Sequence, residues 1–429
     1  MMRFDVSWLR RDHGTAAERA AFADIRISVD DVVLTEVYDA SAQTRRESVR
    51  LSALRLATWL LENWWRLSVE PRKDLRVAPD WRMAHALPAA GEGLLWPPLE
   101  IASDGETVLL TSTMGRQSRQ AKIIYQCEGV FAVPLEDFQA AVDDFVRLVR
   151  ARLVALGVTD SHLDALSVDL ATERNDPQLS RLRQAEALLG LDSDTASPSL
   201  AALLDRAAHW GPVASGDILA GSTVETLPAV LDSIDRLDAP ALRTLDISAL
   251  RSLAVPTPGR GASWQRGHVL ARAIRRGLGN ERAPLDIDAL ALNHMKMRPD
   301  GPAFSVALRD DADKAHLRVA LGGRHPTSQR FQAACLVGSA LQAGTEVLIV
   351  ANRSGTAHQK IQRAFAQELL IPVAAIKERV GDGDLQRDDL IEDLADEYGV
   401  STVTIQAAMV NHGLVPFGEF GPLGREPSL

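Results

Sequence analysis

Four residues within one stretch of this 429-residue chain are of types that bind metals: His316, His325, Cys335 and His358. A catalytic zinc needs three deprotonatable ligands, an open position for water and a carboxylate that takes the proton from that water. Cys335, His358 and His325 are the set that could supply the ligands. The plainer reading sets them apart. Cys335 lies in the helical apolar run RFQAACLVGSAL, where it reads as a small buried residue. His325 precedes Pro326 on an extended segment, and His358 opens the next helix. His294 and His412 fall in helix-end patterns and read as surface or loop histidines.

Other chemistries find no foothold in the sequence. It contains neither G-x-x-x-x-G-K-[ST] nor G-x-G-x-x-G, the loops that cradle phosphates. The acidic run Asp382–Asp393 (DGDLQRDDLIED) lacks the alternating carboxylates and terminal Glu of a calcium loop, and reads as a solvated helix start. No strand-to-helix elbow carries a serine from which a Ser/His/Asp triad could be built. Arg260, Arg266, Arg272, Arg275 and Arg276 form the strongest basic stretch. They read as a solvated helix face. Arg266, Arg272, Arg275 and Arg276 are the contact surface if an acidic partner or nucleic acid is bound.

Composition narrows the class. Hydrophobic residues make up 46% and charged residues 24%, as in a soluble globular protein. A formal net charge of −10 opposes whole-surface binding to nucleic acid or anionic membrane. The sequence has no apolar run of membrane-spanning length, and MMRFDVSWLRRDHG lacks the apolar core of a signal peptide. The only cysteines, Cys127 and Cys335, exclude a disulfide framework and a Cys-rich zinc site, so a cytoplasmic location is expected.

The elements that must position these residues follow from periodicity. Residues 24–39 alternate as strands broken at Asp30-Asp31, and 49–67 carry a dense apolar face at helical spacing with Trp59, Trp64 and Trp65 on it. The tryptophan-rich segment from Trp59 to Trp96 reads as core rather than as a stacking platform for bases or sugars. Trp96–Thr113 reads as a hairpin turning at Ser-Asp-Gly, Gln120–Pro134 as a strand and Leu135–Leu156 as an amphipathic helix. Helices follow at Asp176–Leu189, Ser199–Trp210, Thr223–Leu237, Trp264–Gly279 and 285–296. AFSVALRDD and AHLRVALG are strands, Arg330–Leu341 and His358–Pro372 are helices around the strand EVLIVAN, and Leu390–Val415 is helix, turn at Gly399, helix. Ser401 is the expected cap of the last helix. That helix carries no Arg or Lys to meet phosphates and reads as packing rather than DNA reading. The fold class is α+β and multidomain. The expected parts are 1–157 (antiparallel sheet with helices, Trp-rich), 158–254 (helical middle), 255–415 and a loose tail at 416–429.

Residues 262–415 resemble the ImmA/IrrE family of zinc metallopeptidase-like proteins. The motifs are RGHVLARAIRRGLG, then RHPTSQRF, then QRAFAQELLIP, then EYGVSTVTI, in the family's order and at similar spacing. The resemblance implies a zincin-like domain at 255–415. It places the family's first zinc histidine on Cys335, the catalytic glutamate on Leu336, the second histidine on Ser339, and the acidic ligand near Ile361, or on Gln359 if the turn shifts. Leucine cannot act as a base, serine is a poor zinc ligand, and isoleucine is none. The implied function is therefore a catalytically inactive, peptidase-like protein that recognises a protein partner, in regulation, stress response or defence against phage and mobile elements. On that reading no cofactor is expected. A second reading keeps an active zinc endopeptidase with displaced ligands that cleaves a regulator. A third is a subunit of a nucleic-acid-associated assembly working through the arginine stretch.

Overall fold

Alternation of apolar and polar residues sets Met2–Trp8 (β1) antiparallel to Phe22–Val29 (β2), with Met2 opposite Val29 and Trp8 opposite Ala23. The computed structural model describes the chain apart from residues 73–78, 92, 114–120, 196–197, 238–241, 256–261, 286–303, 310–314, 323–324, 343–345, 382–386, 416–419 and 421–429. It is α+β throughout, with antiparallel sheets, and divides into two compact units, Met1–Ala196 and Ser197–Leu429.

In the first unit, Ala16–Ala20 (α1) joins β1 to β2 behind a capping box made by Thr15 and Glu18. Val32–Val33 (β3) returns along β2 through Asp30, whose φ of 49° is the left-handed conformation that Asp tolerates in tight turns. Val37–Asp39 (β4) and Thr44–Arg46 (β5) pair with each other. Residues expected to begin a helix at 49 instead form Val49–Ser52 (β6), paired with β2. The apolar spacing of Val49 and Leu51 suits a strand equally well, and pairing with β2 decides the conformation. Ser52 then caps Ala53–Glu62 (α2), its Oγ accepting from the Arg55 N–H, and Trp64–Val69 (α3) follows after a break at Asn63.

Trp59 and Trp64 are buried with Trp81, on Pro79–His85 (α4), and Trp96, as a core role requires. Each such ring removes roughly 200 Å² from water, a transfer term of about 5 kcal/mol before entropy is counted. Leu99–Ser103 (β7) and Thr107–Ser112 (β8) form the expected hairpin. The run expected as one strand is two: Ile123–Tyr125 (β9) pairs with β4, and Gly129–Pro134 (β10) pairs with β8. Leu135–Ala155 (α5) buries Phe138, Val142, Phe145, Val146, Val149 and Leu153. Ser161–Asn175 (α6) and Pro177–Leu189 (α7) complete this unit, so the helical middle is shared between the two units rather than forming a body of its own.

The second unit opens with three helices, Pro198–Trp210 (α8), Pro212–Ala220 (α9) and Leu227–Asp235 (α10). Arg243–Asp246 (β11) leads to Ser248–Leu253 (α11) and Ser263–Gly277 (α12). The helix expected at 285–296 lies, but for Leu285, outside the described residues. Ser305–Arg309 (β12) and His316–Ala320 (β13) are the two strands expected here. Pro326–Gln342 (α13), Leu348–Ala351 (β14) and Ala357–Leu370 (α14) follow. The sheet order is β11-β13-β12-β14, all antiparallel, which leaves β14 at one edge. Val373–Gly381 (α15), Arg387–Tyr398 (α16) and Thr402–Asn411 (α17) end the unit. Gly399 turns at a φ of 59° and the Ser401 hydroxyl caps α17, as expected.

Two glycines let α14 sit between α12 and α13. A Cβ on Gly267 of α12 would stand 2.4 Å from the Ile361 carbonyl oxygen and 2.7 Å from the Phe365 nitrogen. One on Gly338 of α13 would stand 2.4 Å from the Phe365 ring. The resulting core joins Leu270, Ile274, Ala333, Cys335, Leu336, Phe365 and Leu369.

Candidate functional site

α13 carries Cys335, Leu336 and Ser339 and α14 carries Ile361, and one of these, Ser339, joins a hydrogen-bonded centre. Cys335 and Ser339 share one face of α13, four residues apart. The Cys335 thiol is buried, and burial pushes it up to about 12, so it stays protonated at neutral pH. Leu336 and Ile361 are buried apolar residues. Ser339, 1% exposed, is different: its Oγ lies 2.9 Å from Nε2 of His358 on α14. The other ring nitrogen of His358, Nδ1, lies 2.6 Å from Oδ2 of Asp217 on α9. A carboxylate only accepts, so Nδ1 carries the hydrogen in this bond.

Asp217 is buried and saturated with donors. Its Oδ1 accepts from the Thr356 hydroxyl at 2.6 Å, and its Oδ2 accepts from Gln359 Nε2 at 2.7 Å as well as from His358. Gln359, fully buried, uses the rest of its amide on the edge of the sheet. Its Nε2 donates to the Val350 carbonyl at 2.7 Å, and its Oε1 accepts from the Asn352 N–H at 2.9 Å. Those two backbone groups face outward from β14, so one carboxamide meets them as a residue of a parallel strand would. Gln362 also donates to Val350 O, at 3.0 Å.

α9 is fastened at both ends as well. The Glu346 carboxylate accepts from the N–H groups of Val213 and Ala214 at 2.8 and 3.2 Å, and Asn352 Nδ2 donates to the Asp217 carbonyl at 2.6 Å. Burial raises the Glu346 carboxyl against the lowering effect of those N–H groups.

The displaced-ligand set is not assembled. His325 is exposed just before α13 and stands ten residues from Cys335, about 15 Å along a helix axis. His358 is engaged by Ser339 and Asp217. Among the described residues no group of three or more His, Cys, Asp or Glu side chains could hold a metal ion. His316 lies by Asp246, at 4.0 Å, and His294 is outside the described residues.

The arginine surface needs correction at one residue. Arg275 is 1% exposed and points inward, its Nη1 donating to the Leu369 carbonyl, its Nη2 to Ala283 O and its Nε to Glu281 O at 3.2 Å. A guanidinium whose fork is filled by carbonyls can be buried, which charge counting along a helix cannot reveal. Arg272 pairs with the buried Glu368 at 2.7 Å, Arg276 is exposed near Glu281, and Arg266 is half-buried. Arg260 lies outside the described residues.

His412 is not a loop histidine either. It stacks on His268 of α12 with ring centroids 5.1 Å apart, and Trp264 meets both rings edge-on. Burial lowers both imidazoles to about 4, helped by Arg272 at His268 and by His268 itself at His412.

The first unit holds a separate buried polar group that sequence reading missed. Glu70 Oε2 accepts from Arg66 Nε at 2.7 Å and from His85 Nε2 at 2.9 Å, with Trp81 stacked on His85. Burial pushes the Glu70 carboxyl up, but its bonds and charges from His85 and Arg66 outweigh this and hold it below the usual carboxylate range.

Asp217, Thr356 and Gln362 also went unread in the sequence. Asp217 sits in an ordinary apolar helix far from Ser339 and His358, so no spacing connects them. Only the Thr356 cap, three residues before Gln359, was readable as local structure. No family model matches the chain, and neither curated proteins nor solved structures include a significant match.

Proposed function

We propose that this protein works by recognition of a protein partner, as a regulatory or scaffold component built on a peptidase-like frame that does not hydrolyse. The resemblance to ImmA/IrrE proteins suggests a setting in stress response or in defence against phage and mobile elements. One observation carries the reading. At the position aligned with the second zinc histidine, Ser339 gives its hydroxyl to a closed chain of hydrogen bonds through His358 to Asp217. The remaining aligned positions are the buried Cys335, Leu336 and Ile361. Ser339, His358 and Asp217 satisfy one another in this chain, which is what a structural replacement for a ligand set requires.

The order Ser339–His358–Asp217 has the polarity of a nucleophile relay, and the hydrolase alternative fails on two points. Ser339 is 1% exposed. It also lies three residues from the C-terminal end of α13, where the helix dipole presents its negative end and opposes an oxyanion. The geometry therefore favours a clasp over a nucleophile. The arginine reading is weakened by the burial of Arg275.

The test is metal analysis of the purified full chain together with labelling by a fluorophosphonate. We expect zinc far below one equivalent, unchanged in Cys335→Ala and His358→Ala, and no adduct on Ser339. Near-stoichiometric zinc lost in either variant overturns the reading in favour of a displaced-ligand peptidase. A Ser339 adduct abolished by His358→Ala overturns it in favour of a serine hydrolase.

A further inference from the structure

Three side-chain donors converge on one carboxylate in the second unit, and the carboxylate belongs to a short separate helix. Thr356 Oγ1, His358 Nδ1 and Gln359 Nε2 reach the Asp217 oxygens at 2.6, 2.6 and 2.7 Å. All three come from one turn at the start of α14. Two further observations bear on what this cradle is for.

The first is a polar atom left over beside it. Gln362 is fully buried, and its Nε2 lies 3.3 Å from His358 Nδ1. Among the described residues its Oε1 has no hydrogen-bond partner. A buried acceptor without a donor is destabilising, and natural cores rarely keep one. Here it borders a centre in which Asp217, supplying only acceptors, cannot satisfy it. An occupant bringing a donor as well as a carboxylate would complete the site better than Asp217 does.

The second is the way α9 is attached. It has nine residues, too few to persist as a helix without its contacts. Gly211, at a φ of 106°, and Gly221 bound it. Every hydrogen bond named above that holds it comes from the single segment 346–359: Glu346 at its N-terminus, Asn352 on the Asp217 carbonyl, and the three donors on the Asp217 carboxylate. Water can replace each of these bonds once the helix moves, while the packing of Ala214, Ile218, Leu219 and Ala220, all buried, is what its departure must give up. The bonds from Thr356, His358 and Gln359 share one carboxylate, so these three are lost together.

We infer that Thr356, His358 and Gln359 form a recognition site for an acidic side chain, and that α9 fills it with Asp217 until a partner segment bearing Asp or Glu takes its place. Departure of α9 frees Nδ1 of His358 while Nε2 keeps its bond to Ser339. The Val350 carbonyl and Asn352 N–H stay bonded to Gln359, so the sheet edge remains closed and only the carboxylate position is exchanged. This inference rests on the recognition reading for the nature of its occupant. The site and the cover stand on their own geometry.

Two measurements on the full chain test it. In native-state hydrogen exchange, 212–220 should open in wild type without the core of α13, and in Asp217→Asn its exchange should rise about ten- to hundredfold while 333–340 is unchanged. In Asp217→Ala, sodium formate should restore protection of 212–220 and of the α14 N-terminus, and sodium chloride at equal ionic strength should not. The inference is overturned if α9 and α13 exchange only together in wild type, or if formate and chloride act alike. The wild-type exchange experiment decides even if both variants misfold. Neither outcome depends on zinc content or Ser339 labelling, so failure here is distinguishable from failure of the recognition reading.

Discussion

At the scale of single residues, burial decides which side chains keep their ordinary chemistry. His268 and His412 are stacked in the second unit and held neutral, both at about 4. Their folded values lie below the unfolded value of about 6.5. The unfolded chain therefore binds more protons between those limits, and stability rises with pH across that window. The contribution is complete above about pH 6.5 and is lost as pH falls toward 4. Thermal unfolding of the full chain at pH 7 and pH 4.5 should show the second unit's midpoint about 5 °C lower in acid. Replacing His268 and His412 together by Gln should flatten that dependence. A midpoint as acid-sensitive in the double variant as in wild type would contradict the assignment.

At the scale of elements, the helix that carries His358 is placed by what its neighbours lack. Gly267 and Gly338 leave room for the α14 backbone and for Phe365. An Ala at Gly267 gains up to about 1 kcal/mol of helix propensity. It also meets two backbone atoms that cannot move alone. Overpacking of this kind costs about 1–3 kcal/mol, and backbone contacts put Gly267→Ala at the upper end. We expect a net loss of about 2 kcal/mol, read as a lower denaturant midpoint at unchanged slope. Gly338→Ala should cost less, since the Phe365 ring can shift.

The elements themselves were largely legible. α5, α7, β12, β13, α13 and α14 fall close to where periodicity puts them, because each carries its apolar face in local spacing. β6 was not, because Val49 and Leu51 suit a strand or a helix and only pairing with β2 chooses. The centre at Ser339 was half legible. Cys335 and His358 stood out by type, and Leu336, Ser339 and Ile361 only through the resemblance to ImmA/IrrE proteins. Asp217 could not be found, because a hydrogen bond between two distant helices leaves no mark on spacing.

At the scale of the whole molecule, each unit has its own apolar core and its own buried charged group. Glu70, Arg66 and His85 serve the first, and Asp217 and His358 the second. Among the described residues no helix is long and apolar enough to cross a membrane. Two cores predict two unfolding transitions. Glu70→Ala leaves Arg66 and His85 buried without their carboxylate, a loss of about 3–5 kcal/mol. It should lower the midpoint assigned to Met1–Ala196, while Gly267→Ala lowers the one assigned to Ser197–Leu429. Calorimetry of the two variants checks this, and a single transition moved equally by both would show that the units unfold as one.

The carboxamide of Gln359 has a consequence for how this protein behaves in a crowded solution. β14 ends its sheet, and an uncovered terminal strand presents backbone groups on which another chain can grow. Gln359 answers those groups from within the molecule, on the Val350 carbonyl and the Asn352 N–H. It terminates the sheet without adding a strand. A charged residue could guard an edge only from the solvent side, but a buried amide closes it from inside. The β14 edge is thereby protected against self-association from within, by Gln359 with Gln362 sharing the Val350 carbonyl, and Gln359 is held in place by the same aspartate that holds α9.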